Sequence, residues 1–302
     1  MNLFNKTIIT NTNPQLLENL LILHGKTLCE LQKHNTSPNI QDHEFKVFSQ
    51  NGEDGIIQYL IEKYNITNKT FIEFGVENYT EANTKFLLQN NNWSGLIIDG
   101  SPDHINAIKK TQLYWKHDIT ALQAFITQEN INDILTTWKV INGHVGILSI
   151  DIDGVDYWVF KAITTVTADI LIMEYNSTFG PNAHVTVPYD PLFDRTQKHF
   201  SSLYCGASIG AITKLANQKG YALVGSNSFG NNLFFINQKH LPIDKQTLSQ
   251  TAWVKSQFRE SRDNEGNLTY LNFEERQNLI ANLPLINTEN NTQTTLANLL
   301  KK

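Results

Sequence analysis

The chain has 302 residues, 40% of them hydrophobic, and a formal net charge of -5. That length holds one full α/β core with appended helical material and leaves little room for two complete domains. The acidic balance gives no broad positive field for a phosphate backbone, which excludes nucleic acid as a default partner. The longest apolar runs, such as VGILSI and DILIMEY, are strand-length and fall far short of the ~20 residues of a membrane-spanning helix. The first residues, MNLFNKTIITNTNPQLLENLL, show neither a cationic start followed by an apolar block nor a small-residue cleavage site. A cytoplasmic protein without a membrane span is therefore expected. Cys29 and Cys205 are too few and too distant for a disulfide framework or a thiolate zinc site, and read as buried, inert thiols.

In chain order, leucines at helical spacing (Leu16, Leu17, Leu20, Leu21, Leu23) predict an accessory helix over 14–34, followed by the polar linker HNTSPNIQDH. SQNGEDGIIQYLIEKY reads as a loop feeding a helix, and TFIEFG as a first strand. SGLIIDG (94–100), LYWKHDI (113–119), VGILSIDI (145–152) and ADILIMEY (168–175) predict four more strands. Near-continuous apolar strands alternating with helices argue for a parallel sheet covered on both faces. After residue 205 come a small-residue helix, the strand YALVGS, a turn and the strand NNLFFIN, which together predict a closing hairpin. FEERQNLIANL and TTLANLL predict a helical tail. The expected organisation is a helical extension and linker (1–44), an α/β domain (45–238) and a C-terminal tail (239–302). Trp93, Trp115 and Trp158 are expected to pack in the core or at its edge.

Ligands of open parallel sheets bind outside the carboxyl ends of the strands, and the predicted exits are polar. They read Glu73-Phe74-Gly75, Asp99-Gly100-Ser101, Asp118, Asp151-Ile152-Asp153-Gly154 and Glu174-Tyr175-Asn176. An acid ending the second strand can accept from both hydroxyls of an adenosine ribose, which suits Asp99; Asp118 could take the exocyclic amine of adenine. The turn after Gly75 lacks the second and third glycines of a dinucleotide fingerprint, so it offers no bare amide nest for a diphosphate. Any one of these acids also fits an ordinary turn or cap.

The segments FSQNGEDGII, FIEFGVENYTEANTKFLL, WSGLIIDGSP, LSIDIDGVDYWVFKAI and IMEYNSTFGP resemble the class I S-adenosylmethionine-dependent methyltransferases, specifically the FkbM-like group found with sugar and surface-polysaccharide modification. The resemblance covers about 45–238. It implies a Rossmann-like seven-stranded mixed sheet with a closing antiparallel hairpin, and S-adenosylmethionine as cofactor. By that resemblance Glu73 and Gly75 belong to the cofactor loop, Asp99 to the ribose contact and Asp118 to the adenine contact. The wider set implied around the cofactor is Gln50, Glu53, Asn78, Asn83, Gly100, Ser101, Ile119 and Asp151. Glu77 and Asn78 depart from the common glycine pattern.

Asp151 and Asp153 meet Glu174 and Asn176 across adjacent strand exits, and two readings of this oxygen-rich cluster stay open. In one, all four residues bind Mg²⁺ or a similar hard cation, as metal-dependent O-methyltransferases do. In the other no metal binds, Asp151 or Asp153 orients the acceptor or serves as general base, and Asp156 caps the helix beginning YWVF. His184, in the GPNAHVTVPYD loop, is another candidate base, with His199 behind it. Gln50 and Glu53 either touch the amino-acid end of the cofactor or cap the helix that follows them. The expected activity is O-methylation of a sugar, sugar nucleotide or capsule precursor, including a phosphoramidate-linked one, on a small-molecule or glycan-precursor acceptor. An amine acceptor, a non-catalytic nucleoside-binding protein and a nucleotide-sugar oxidoreductase are the alternatives, and a homo-oligomer is compatible with the sequence.

Overall fold

The computed structural model describes residues 13–138 and 143–300. The first twelve residues of the predicted extension and the last two of the predicted tail lie outside the described residues. Helix α1 (Pro14–Gln32) starts on Asn13, whose side chain accepts from the amide of Gln15, with proline in the first turn where its missing N–H is no loss. Helix α2 (Glu53–Lys63) follows a loop gathered around one buried acid. The Asp54 carboxylate accepts from the amides of Val47, Phe48 and Ser49 and from the Ser49 hydroxyl.

Strand β1 (Thr70–Phe74), helix α3 (Lys85–Asn91), strand β2 (Ser94–Asp99), helices α4 (Pro102–Lys109) and α5 (Gln112–Lys116) and strand β3 (Ile119–Gln123) form the first half. Helix α6 (Ile131–Thr137), strand β4 (His144–Ile150), helix α7 (Asp156–Ala162) and strand β5 (Thr167–Glu174) follow. The short strand β6 (Val185–Thr186), helices α8 (Arg195–Lys198) and α9 (Ile209–Gln218) and strands β7 (Tyr221–Ser226) and β8 (Asn232–Asn237) complete the sheet region. Helices α10 (Ser249–Ala252) and α11 (Phe273–Ile280), strands β9 (Pro284–Asn287) and β10 (Thr292–Thr295) and helix α12 (Leu296–Leu300) close the described chain.

The main sheet runs β3-β2-β1-β4-β5-β8-β7. Strands β1 to β5 pair in parallel, while β8 is antiparallel to both β5 and β7. This is the predicted seven-stranded mixed sheet with its closing hairpin. Alternate residues of each central strand feed two apolar layers. Ile72, Phe74, Leu148 and Leu171 pack on one face, and Phe71, Ile97, Ile147 and Ile170 on the other. Strand order reverses between β1 and β4, so the chain leaves these neighbours in opposite directions and opens a crevice beyond their carboxyl ends.

Two predicted elements differ. LYWKHDI is not a strand: 112–116 form a helical turn that buries parts of Leu113 and Tyr114 and leaves Trp115 72% exposed, so Trp115 is not a core residue. Pairing with β2 begins only at Ile119. The C-terminal region is not wholly helical either. The Asn272 and Glu275 capping box starts α11 as an N-terminal signature should, but β9 and β10 form a hairpin whose free edge is filled by β6. Cross-strand pairing overrides the leucine spacing of TTLANLL, leaving only 296–300 helical. Among the described residues no helix is long and apolar enough to cross a membrane.

Candidate active site

A cavity of about 480 Å³ lies along the carboxyl edge of β1, β2, β4 and β5, roofed by chain from the C-terminal region. At its centre Gly75 has φ +69°, and a Cβ there would stand 1.7 Å from the carbonyl oxygen of Asp151. The Gly75 amide donates to Ile98 O at 2.9 Å, so the end of β1 is pinned between β2 and β4. Beside it, the buried Glu73 carboxylate accepts from the amides of Asn83 (2.8 Å) and Thr84 (3.0 Å) and from the Thr84 hydroxyl. Burial raises its pKa to about 7 in spite of these bonds. Asn83 and Gln50 also line the cavity. The Asn83 amide also donates to Ser149 Oγ at 3.1 Å, which fixes the wall.

At the end of β2, Asp99 ties together three pieces of backbone and side chain. Its Oδ2 accepts from the amide of Glu77 at 2.7 Å; its Oδ1 accepts from that of Ser101 at 2.8 Å and lies 3.0 Å from His104 Nδ1. A carboxylate has about four acceptor positions, so capacity remains for a ligand hydroxyl. Gly100 lines the cavity beside it, whereas the Ser101 hydroxyl caps α4 and Ser101 is not among the lining residues. Glu77 (φ 47°) takes the left-handed turn conformation at which dinucleotide sites use glycine.

Several expected residues fall elsewhere. Asp118 precedes β3, and its carbonyl accepts from Gly95 at the start of β2, which puts it at the amino edge of the sheet, away from the cavity. Ile119 is buried in the core. The true exit of β3 contributes Ala124, Phe125 and Ile126, an apolar wall of which Phe125 is half exposed. The error follows from reading the strand six residues early. Asn78 folds onto the Thr80 amide and does not line the cavity. Glu53 is fully buried; its carboxylate accepts from Asn51 N, Asn227 Nδ2 and Asn232 Nδ2, so it holds the β7–β8 turn. His184 is also outside the lining: its carbonyl accepts from Thr288, and its ring lies against Gly210 of α9. His199 faces Ser201 Oγ at 2.7 Å and is likewise absent from the lining.

At the ends of β4 and β5, Asp151 and Glu174 stand half-buried in the cavity floor. Burial first, and then neighbouring acids, push both well above the usual carboxylate range: Asp153 and Asp156 for Asp151, and Asp151 foremost for Glu174. Asp156 accepts from the amides of Ile152 (2.8 Å) and Gly154 (3.0 Å), so its role is to shape the turn after β4. Burial holds its pKa at about 6. Asp153 pairs with Arg195 Nη1 at 2.7 Å, and Arg195 Nη2 reaches Glu260 at 3.7 Å.

The expected metal set does not fit a cation. The Asn176 amide donates to the carbonyls of Leu203 (2.9 Å) and Cys205 (3.0 Å), and its oxygen accepts from Thr178 N (3.0 Å). Asp153 is committed to Arg195. Asp151, Asp156 and Glu174 can bring one oxygen each within 4.8 Å of the others, yet Asp156 spends its oxygens on the β4 turn. Two free carboxylates beside a guanidinium fall short of the oxygen cage a hard divalent ion needs.

The sequence reading missed His104, Phe125, Arg195, Glu260 and Arg276, all of which line the cavity. Arg276 is buried on α11 and donates to the carbonyls of Ser256 (3.0 Å) and Phe258, which holds 256–260 across the opening. One signal in the sequence bears on a basic partner: three acids within six residues, Asp151, Asp153 and Asp156, need a nearby cation when they are crowded. Which arginine supplies it depends on long-range folding.

No family model matches the chain, and no curated protein matches it. Among solved structures, the N-terminal domain of EvdMO1 with SAH bound is similar over 72% of this chain and 95% of that one, at 9% identity and a TM-score of 0.41. An O-methyltransferase from Bacillus cereus in complex with SAH is similar over 74% of this chain and 96% of that one, at 11% identity and a TM-score of 0.41.

Proposed function

We propose that this chain is an S-adenosylmethionine-dependent methyltransferase that methylates oxygen on a sugar, sugar nucleotide or surface-polysaccharide precursor. The reading rests chiefly on the cavity at the strand-order reversal, where Asp99 keeps acceptor capacity beside a turn built without a diphosphate nest. The acceptor class comes from the sequence resemblance. When bound, S-adenosylmethionine supplies an electrophilic methyl on a sulfonium. Asp99 then orients the ribose through its hydroxyls, and the Ala124-Phe125-Ile126 wall offers an apolar surface to the base. The cavity floor receives the acceptor: Asp151 or Glu174, whichever is unprotonated, takes the hydroxyl proton as the oxygen–carbon bond forms and the carbon–sulfur bond breaks. Holding the two reactants in line accounts for most of the rate gain, up to roughly 7–11 kcal/mol.

An amine acceptor is a second reading, favoured by the surplus of carboxylates: Glu73, Asp99, Asp151 and Glu174 line the cavity without a guanidinium partner. Charged or protonated, these groups offer oxygens that can accept from the N–H donors of an amine. Calorimetric titration with S-adenosylhomocysteine and, separately, with NAD tests the cofactor. Binding of the first and not the second is expected, and the reverse would make the protein an oxidoreductase. Transfer of labelled methyl to sugar and amino-sugar acceptors then separates the two acceptor readings. Tight cofactor binding with no transfer to any acceptor would favour a non-catalytic nucleoside-binding role.

A further inference from the structure

Helix α1 carries two apolar faces. One, with Leu21, Ile22, Gly25 and Cys29, packs on Val47, Phe48 and Phe86; a Cβ on Gly25 would lie 2.6 Å from the Phe86 ring. The opposite face carries Leu16, Leu17, Leu20, Leu23 and Leu31, each 54–62% exposed. At 3.6 residues per turn these five leucines, with His24 and Thr27, share a stripe about 120° wide, the width of a helix-packing face. Gln15, Asn19, Lys26 and Glu30 occupy one border of the stripe.

We infer that α1 is a self-association surface, pairing antiparallel with α1 of a second copy about a two-fold axis between Leu23 and His24. The positions 16, 20, 23, 24, 27 and 31 read the same from either end, with Leu17 left at the margin opposite Glu30. In the antiparallel pair Leu16 of one copy therefore faces Leu31 of the other, Leu20 faces Thr27, and Leu23 faces His24. An isologous dimer requires such self-complementarity, because the same patch must serve both subunits. The seam also keeps the near-heptad rhythm that lets two helices lie along each other.

The area suits a second copy. The four half-exposed seam leucines present roughly 400 Å² of apolar side chain, within the range of the largest patch on a typical monomer, and Leu17 adds to it at the margin. Pairing two such faces removes about 800 Å² from the seam leucines, and His24, Thr27, Leu17 and the flanking residues bring the total toward the ~1,200–2,000 Å² of stable interfaces. An anionic membrane is the poorer partner: α1 holds one lysine against two glutamates, Lys26 against Glu18 and Glu30, whereas interfacial helices are rich in basic residues.

Sedimentation velocity of the full chain is expected to give twice the 34.4 kDa of one protomer at micromolar concentration. The double variant Leu20→Glu/Leu23→Glu should sediment as a monomer with an unchanged far-ultraviolet circular dichroism spectrum. As a check that does not depend on disruption, His24→Cys should form a disulfide-linked dimer under mild oxidation while the parent chain, with only Cys29 and Cys205, does not. A monomeric parent chain overturns the inference. A dimer that survives both glutamates, or that fails to cross-link through His24→Cys, places the interface elsewhere and overturns it equally.

Discussion

Gly75 and Asp151 are locked at the centre of the sheet: the Cα of one approaches the carbonyl of the other so closely that a Cβ would lie 1.7 Å from the oxygen. This approach sets the distance between the turn after β1 and the acid after β4, and so the shape of the cavity floor.

Gly75→Ala should therefore destabilise the protein by more than ~1 kcal/mol, since it combines a steric overlap with a positive φ of +69°. S-adenosylhomocysteine binding should fall with it. Denaturant unfolding paired with calorimetry provides the check; a variant with unchanged midpoint and affinity would remove Gly75 from this role.

Asp99→Ala should weaken S-adenosylhomocysteine binding by at least about tenfold, the ~1.4 kcal/mol scale of one lost charge-assisted bond. Asp99→Asn keeps acceptor capacity on one atom and should lose less. Equal losses in the two variants would indicate that Asp99 only holds the Glu77 and Ser101 amides in place.

Asp151→Asn and Glu174→Gln should each lower turnover by about 10²–10⁴ if the pair supplies the general base. Beyond burial, the Asp151 carboxylate raises the pKa of Glu174. Removing the charge of Asp151 should thus move the residual acidic limb of the pH–rate profile to lower pH. A limb that does not shift in Asp151→Asn would remove Glu174 as the base.

Glu73 supplies a stability signature. Its folded pKa is about 7 against a free value near 4.5, so the folded state binds the proton more tightly. Folding stability from this group is fully present below about pH 4.5 and declines as pH rises through about 7. Glu73→Gln should flatten that decline. Thermal melting between pH 5 and 8 reads the difference; superimposable pH profiles for the two proteins would refute it.

Exhaustive chelation should leave turnover unchanged, and Mg²⁺ should not raise it, because the Asn176 amide and Asp153 are already committed within the protein. Loss of activity on chelation with recovery on Mg²⁺ would show that these groups rearrange around an ion. Asn176→Ala should instead loosen the 203–205 segment and lower the melting temperature.

The sheet was legible in the sequence because its strands are apolar on both faces and end in polar turns, a pattern set by neighbours within a few residues. VGILSI and DILIMEY became β4 and β5, and YALVGS and NNLFFIN became the closing hairpin. The rim acids Glu73, Asp99, Asp151 and Glu174 were legible for the same reason, since a residue at a strand's end must face the carboxyl edge. LYWKHDI was misread because a short aromatic run serves a helical turn as well as a strand, and only pairing with β2 decided between them. Local sequence determined these four rim acids, and it misplaced Asp118 where the strand itself was misread. Tertiary structure alone decided which carboxylates remain available: Arg195 takes Asp153, and the side chains of Asn227 and Asn232 take Glu53, from chain positions whose proximity depends on packing, and electrostatic pairing acts through space with no regard to order along the chain.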